Sequence, residues 1–529
     1  VCSSDLYDAL GNRTSVTLPD GRELKQFYYG SGHLLSIALD KLSVSDFTRD
    51  ELHRETSRTQ GLLTTRSEYD RLGRLHRRDV FTGNAQRPSP RRWSRRWDYD
   101  YRNNLVREER DDNPFSWYRW QYDSAGRLLV QDGTLPGQEQ WRWDAAGNPL
   151  EGSAEKVTHN RLTQLNGIRW RYDIHGRTVE KDNGQTRWHY RYDGEHRLTE
   201  VISQPRDRNR PQTQVSFRYD PLGRRISKTR RQMLFGQPTG KPVTTRFVWE
   251  GFRLLQEVHG DVPLTYVYSD QDSYDSLARI DGVDAPEIFW FHCQPNGTPE
   301  RMTDSEGQVR WEGVNSAWGK LLRESETQVS GYSQNLRMQG QYLDRETGLH
   351  YNLFRYYDPD CGRFTQHDPI GLAGGINLYQ YAPNALGWVD PWGLSRKCKD
   401  PSKEATQWQG PHNKDYKGID SYSNRTLKKG TVLYALHPNG DQLPSYTVTH
   451  PTVRQYKGDS LGYHEALQVK LNPDFPLRTK FRAYYVSEDI FVASGRANAN
   501  PQYGKGGGMQ FYIPEEARSK LIPGKVIDI

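Results

Sequence analysis

A short unit recurs along the first half of the chain: an aromatic residue, Asp, two variable residues, Gly, then Arg or Asn. It stands as Tyr7-Asp8 with Gly11-Asn12 and as Tyr69-Asp70 with Gly73-Arg74. It returns as Tyr122-Asp123 with Gly126-Arg127, Trp143-Asp144 with Gly147-Asn148, Tyr172-Asp173 with Gly176-Arg177 and Tyr219-Asp220 with Gly223-Arg224. Tyr192-Asp193 keeps the aromatic–Asp pair. From Tyr122 onward the spacings are 21, 29, 20 and 27 residues. Each unit reads as one hairpin. The aromatic ends a strand and packs inward, and Asp accepts from backbone two residues on. Gly takes the positive φ of the turn, and the segment led by Arg returns. Gln214–Tyr219 alternates with the two-residue period of a half-buried strand. One hairpin cannot bury its apolar face alone, so the units must stack side by side. The pattern predicts a long, curving antiparallel sheet.

Composition agrees with this and narrows the class. Aromatics make up 12% of the 529 residues, with 32 Tyr, although hydrophobic residues reach only 34%. Disordered chains are poor in aromatics. The 47 Gly and 29 Pro suit many short strands and turns. No stretch approaches the roughly 18–20 apolar residues of a membrane helix, which predicts no stable membrane insertion. Cys2, Cys293, Cys361 and Cys398 are far apart and form no CxxC, so neither a disulfide framework nor a zinc site is encoded. Residues 1–6 fit no repeat; the expectation is foreign sequence there, before an N-terminally truncated repeat region.

Charge divides the chain. Residues from Ser395 to Ile529 carry 20 Lys and Arg against 13 Asp and Glu, which is the whole net charge of +7; the preceding 394 residues balance. A basic C-terminal domain meeting an anionic partner fits this asymmetry, as does a solvated basic face.

The repeats resemble the YD-repeat, or Rhs, family, and the likeness sharpens downstream. His292-Cys293 with Gly297-Thr298-Pro299, then Trp311 and Trp318-Gly319, follow the family's order. Gly340–Asn352, Arg355-Tyr356-Tyr357-Asp358-Pro359 and Gly362-Arg363-Phe364 resemble its core signature. The resemblance implies a mostly β protein. A YD-repeat antiparallel sheet (7–336) would wind into a hollow cocoon around a C-terminal toxin, with a core autoprotease at 337–394. It also implies a secreted effector, of the kind used in interbacterial competition and by type VI secretion. Its partners would be a delivery spike and a cognate immunity protein, and its toxin would act in the target-cell cytoplasm.

Two Asp-Pro-x-Gly-Leu motifs close the core: Asp368–Leu372 and Asp390–Leu394, 22 residues apart. One such motif is ordinary turn chemistry, with Asp accepting, Pro fixing φ and Gly relaxing the exit. Two of them around a Gly- and Tyr-rich segment point further. Carboxylates brought close cannot both stay ionised, so one keeps a proton as acid while the other activates water. The resemblance implies an aspartyl autoprotease with Asp368 and Asp390 as the dyad, Arg363 as a supporting cation and Leu394–Ser395 as the scissile bond.

Beyond it, 395–426 reads as a polar linker and 427–529 as a small α+β domain. Strands are expected at Thr431–Leu436, Ser445–Thr449, Ala466–Lys470, Phe481–Val486 and Ile490–Ala493, with a helix at Glu515–Leu521. The sharpest feature is Gly506-Gly507-Gly508-Met509-Gln510. It does not fit a phosphate-binding P-loop. With Leu521-Ile522-Pro523-Gly524 and Gly430-Thr431-Val432-Leu433, it is similar to necrotising NAD glycohydrolase toxins of ADP-ribosyltransferase-like fold. The similarity makes Gln510 the catalytic glutamine and NAD the substrate, with no metal. Glycines 506–508 would let backbone approach the dinucleotide, and Arg496, Arg478 and Arg482 are candidates for its pyrophosphate. That family carries an Arg in its first strand; here the strand reads Tyr434-Ala435-Leu436-His437, so His437 or Arg496 would substitute. ADP-ribosyl transfer to protein or RNA is the alternative. A nuclease using His437, His450, His464 and Glu465 is the other, although no HxxxH or paired acidic cluster accompanies them.

Overall fold

The structure is a computed structural model. It describes residues 5–8, 12–30, 32–83, 89–112, 114–134, 137–151, 157–270, 273–325, 328–394, 397–398, 421–437, 443–467, 479–496 and 508–528. Two compact units emerge: one of Val1–Glu68, Leu75–Asp98 and Asn104–Lys397, and one of Cys398–Ile529 grouped with the short turns Tyr69–Arg74 and Tyr99–Asn103.

In the first unit the repeats do what their turn chemistry dictates. A 13-stranded sheet runs from Asp5–Tyr7 to Glu139–Gln140, and a 15-stranded sheet from Gln164–Leu165 to Leu321–Glu324, each strand hydrogen-bonded to its sequence neighbours. Asp5 and Leu6, expected to be foreign, pair with Val16 and Ser15 at the edge of the first sheet.

The repeat turn shows why stacking follows. Asp123 Oδ1 accepts the backbone N–H of Ala125 and of Arg127, both at 2.9 Å, while Oδ2 takes the Arg127 Nε at 2.6 Å. Arg127 Nη1 then reaches forward to the Asp144 carbonyl of the next turn at 2.7 Å. The tyrosines reach backward: Tyr122, Tyr172, Tyr192 and Tyr219 donate to the carbonyls of Leu105, Leu162, Thr178 and Leu198. Each unit is thus tied to both neighbours by the residues that define it.

Apolar faces close the unit. Val16, Leu34, Ile37 and Phe47 of the first sheet pack against Leu277, Ile280 and Trp290 of the second. On the second sheet's other side, Phe217, Phe247, Tyr266 and Trp311 pack against Tyr342, Leu349, Tyr351 and Tyr356. These last belong to a four-stranded sheet, Tyr342–Asp344, Leu349–Asn352, Arg355–Asp358 and Arg363–Phe364, which carries the core signature. Gly340 anchors it: at φ +78° it lies so close to Pro391 that a Cβ would fall 2.1 Å from the Pro391 carbonyl oxygen.

The second unit is a seven-stranded sheet with short helices. Strands Val432–His437, Tyr446–Thr449, Lys480–Val486 and Ile490–Arg496 lie where the sequence placed them. Two expectations fail. Ala466, where the strand Ala466–Lys470 was expected to begin, ends a helix, Ser460–Ala466, capped by Asp459, whose side chain accepts from Gly462 N–H; residues 468–470 lie outside the described residues. Residues 421–426, read as linker, belong with Leu427 to an edge strand, Ser421–Leu427, paired along its length with Ile490–Arg496; its polar side chains hid a backbone-driven pairing. The helix at His450–Gln455, with Pro at its start, and the strand Leu521–Asp528 were not anticipated.

Candidate active site

The two Asp-Pro motifs converge. Asp368 and Asp390 are 7% and 1% exposed, and between them lies the buried guanidinium of Arg355. Arg355 Nη2 is 2.9 Å from Asp368 Oδ2 and 3.6 Å from Asp390 Oδ2. Its Nη1 donates to the Leu378 carbonyl at 3.1 Å and its Nε to the Gly393 carbonyl, while the cation lies 3.6 Å from the centre of the Phe364 ring.

Each aspartate serves two purposes. Asp368 Oδ1 accepts from Ile370 N–H at 3.1 Å, the Asx turn its motif predicts, which leaves Oδ2 for Arg355. Asp390 Oδ1 accepts from Leu394 N–H at 3.0 Å, whereas Oδ2 is buried with no hydrogen bond. Asn352 Nδ2 holds the Asp390 carbonyl at 2.7 Å, and Tyr381 Oη accepts from Asp390 N–H at 3.3 Å. The Leu394 carbonyl oxygen and Asp368 Oδ2 both face Gly374. Both motifs form the turns expected of them, and the fold brings both carboxyl groups to one guanidinium.

The electrostatics raise both carboxyls. Burial pushes Asp368 above the ordinary carboxyl value; Arg355 opposes this, and the nearby Asp390 adds to it. Burial likewise raises Asp390 against the pull of Arg355. Arg355 itself is lowered by burial to about 10. Two buried carboxyls beside one cation are stable with one negative charge between them.

Arg363 does not fill its expected role. Its Nη2 donates to the Asn160 carbonyl at 2.6 Å and to Asn377 Oδ1 at 3.2 Å, and its guanidinium stacks on Tyr379. The cation of the site is Arg355, eight residues earlier in the same signature. Strand pairing explains the exchange: Arg363 pairs with Asp358 on the next strand, while Arg355 heads the strand beside Asn352, under the second motif.

In the C-terminal unit, Gln510 lies on strand Met509–Tyr512 opposite Gly495, and Arg496 lies opposite Met509. Gln510 is 6% exposed, so its side chain is buried. Gly508 donates its N–H to the Ala466 carbonyl at 2.9 Å, and a Cβ there would meet Leu467 Cδ2 at 2.5 Å. The glycine thus seats the strand against the end of helix Ser460–Ala466, which also carries buried His464. Register separates other candidates from Gln510. Arg482 pairs with Ala435, and Ala435 packs in the same cluster as Phe511, on the face opposite Gln510; His437 alternates onto that face too. Gly506, Gly507 and Arg478 lie outside the described residues, as does the side chain of Arg496. His450 heads its short helix, its ring 5.6 Å from Tyr434. Among the described residues no three His, Cys, Asp or Glu side chains group as metal ligands.

Comparison with known families now bears on both units. Residues 288–325 match the RHS protein family, and residues 397–515 match the Rhs1 C-terminal toxin domain. The chain is an Rhs repeat protein with an Rhs1 C-terminal toxin domain. It is 39% identical over 468 residues to double-stranded DNA deaminase toxin A of Burkholderia cenocepacia, covering 84% of this chain and 32% of that protein. It is 30% identical over 415 residues to probable deoxyribonuclease RhsA of Dickeya dadantii, covering 74% of this chain and 26% of that protein. The chain spans about a third or less of the length of these relatives. The solved Rhs1-CT in complex with its cognate immunity protein RhsI1 is 29% identical, covers 25% of this chain and 98% of that one, and has a TM-score of 0.23.

Proposed function

We propose that this chain is a self-processing Rhs polymorphic toxin that hydrolyses its own Leu394–Ser395 bond and releases a C-terminal domain that consumes NAD. The observation that carries the first half is the placement of Leu394: its N–H is bound to Asp390, and its carbonyl oxygen and the Asp368 carboxyl both lie against Gly374. Water adds to the Leu394 carbonyl carbon. Asp368 supplies a proton to the carbonyl oxygen, and Asp390 takes one from the water through Oδ2. The C–N bond then breaks as Asp390 passes its proton to the Ser395 nitrogen, which leaves as an amine, and Asp368 takes back a proton from the remaining hydroxyl. Intact-mass analysis tests this: a fragment beginning at Ser395 is expected, and Asp368→Asn or Asp390→Asn should leave one full-length chain. Equal cleavage in those variants would remove the dyad from the reading.

The NAD reading rests on Gln510 within its glycine-led strand. A neutral amide can hold the ribose of NAD while nicotinamide leaves as a neutral molecule, so no strong general acid is needed. The released product would be nicotinamide with ADP-ribose, or ADP-ribosyl protein or RNA if a macromolecule intercepts. The names of the relatives favour a second reading, a toxin directed at nucleic acid. Zinc deaminases need a P-C-x-x-C pair besides a His ligand, and the segment after Leu394 holds one cysteine, Cys398. A nuclease keeps His437, His450 and His464 as candidates. Incubating 395–529 with NAD and, separately, with duplex DNA and RNA decides among them. Nicotinamide release supports the first reading, and cut or deaminated nucleic acid with intact NAD supports the second. Within this proposal, the repeat region is the carrier of the toxin until delivery into a target-cell cytoplasm. A cognate immunity protein in the producing cell would bind the basic domain.

A further inference from the structure

We infer that Gly374 is a positioning residue for the cleavage step: its missing side chain is what allows the Asp368 carboxyl and the Leu394 carbonyl oxygen to meet. The inference rests on the self-cleavage reading above. Gly374 ends the 3-10 turn Gly371–Gly374 that follows the first Asp-Pro motif. A Cβ on Gly374 would lie 2.1 Å from Asp368 Oδ2, 2.7 Å from its Cγ and 2.7 Å from the Leu394 carbonyl oxygen. A methyl group therefore claims space that the acid and the carbonyl oxygen both border.

Neither neighbour can move aside freely. Asp368 is held at both oxygens, by Ile370 N–H at 3.1 Å and by Arg355 at 2.9 Å. Leu394 is held through its N–H by Asp390 at 3.0 Å, and the preceding carbonyl by Arg355 Nε. Backbone conformation does not explain the glycine. Gly371 and Gly375 have φ of +60° and +128°, whereas Gly374 is not among the residues with positive φ. Alanine suits the Gly374 backbone, so its effect there is the volume of one methyl group at the reacting atoms.

The test uses the full chain, with cleavage followed by pulse-chase during cell-free translation. Gly374→Ala should cleave about 100-fold more slowly, the loss expected when reacting groups are displaced by about 1 Å. Leu372→Ala, on the same turn but 75% exposed, should cleave at the parent rate. Thermal denaturation adds a readout that does not depend on cleavage. Gly374→Ala should lower Tm when Asp368 is present and lower it less in an Asp368→Ala background, where there is no carboxyl to strike. A parent-like cleavage rate in Gly374→Ala, with Asp368→Asn inert, would overturn the inference and leave self-cleavage standing. An equal Tm loss in both backgrounds would also overturn it. A parent chain that never cleaves would remove the self-cleavage reading itself.

Discussion

Asp368 and Asp390 are joined through Arg355, whose Nη2 lies 2.9 Å from one carboxyl and 3.6 Å from the other. Two acids 22 residues apart in sequence are thereby fixed to one guanidinium, and one of them also binds the Leu394 N–H. The arrangement sets distinct demands on each of the three residues.

Arg355→Met should abolish cleavage and destabilise the first unit by about 3–5 kcal/mol, because it leaves buried carboxyls without their cation. Arg363→Met should lower stability through its lost bonds to Asn160 and Asn377, yet leave cleavage at the Leu394–Ser395 bond intact. Intact mass and Tm on the same samples check both; loss of cleavage in Arg363→Met with an unchanged Tm would return that residue to the site.

Cleavage should slow as pH rises. Both carboxyls are raised above the ordinary value of 3.8, chiefly by burial. The folded pair therefore keeps a proton at a pH where the unfolded chain has lost it. Acid catalysis by Asp368 persists through that window and fades above it, and the pair's contribution to stability falls across the same window. Pulse-chase rates at graded pH should show this falling limb, and a rate that climbs steadily with pH would contradict it.

The repeat turns carry the opposite sign. Burial tends to raise Asp173, but the N–H groups and guanidinium of Arg177 outweigh it and hold the carboxylate below 3.8. Asp193 and Asp50 follow the same pattern with Arg197 and Arg54. Stability from these turns is fully present above the ordinary carboxyl value and is lost as pH falls through the lowered one. Acid unfolding of the sheets should begin only below about pH 4 by circular dichroism. Asp173→Ala should remove part of that transition and cost about 1.5–3 kcal/mol, the range for hydrogen bonds to a charged group.

Gln510 is buried, so truncating it would confuse folding with chemistry. Gln510→Asn keeps the amide and withdraws it by one methylene, and NAD consumption by 395–529 should fall about 100-fold with Tm nearly unchanged. Unaltered turnover would detach Gln510 from the reaction.

The edge strand Ser421–Leu427 makes a prediction about boundaries. A fragment starting at Lys428 should be less stable than one starting at Ser395, since it strips the pairing from Ile490–Arg496. Equal Tm values would mean that this strand adds nothing to the domain.

What the sequence disclosed was chemistry that is local in the chain. The aromatic–Asp–Gly–Arg turns specify their own hydrogen bonds within five residues, so the stacked sheets were legible from the repeat. The paired Asp-Pro motifs were legible because each carries its own turn. The choice between Arg355 and Arg363 was not, since it depends on which strand lies under the second motif. Strand Ser421–Leu427 was hidden because its pairing is by backbone with a segment some 70 residues away, and polar side chains there give no apolar period. The burial of Gln510 was likewise set by the packing of helix Ser460–Ala466 against Gly508, which no local pattern announces.

The stretch Asp390–Leu394 is held by Asn352, by Arg355, by Phe354 N–H on the Trp392 carbonyl and by Trp392 Nε1 on Tyr274 Oη. None of these bonds involves Ser395, so under the proposed reaction none is broken by hydrolysis. The new Leu394 carboxylate would stay where the peptide bond had been, plugging the dyad with the enzyme's own tail. Such a catalyst is a fuse: each chain fires once, on itself, and is spent, so it needs no separate inhibitor to protect bystander proteins.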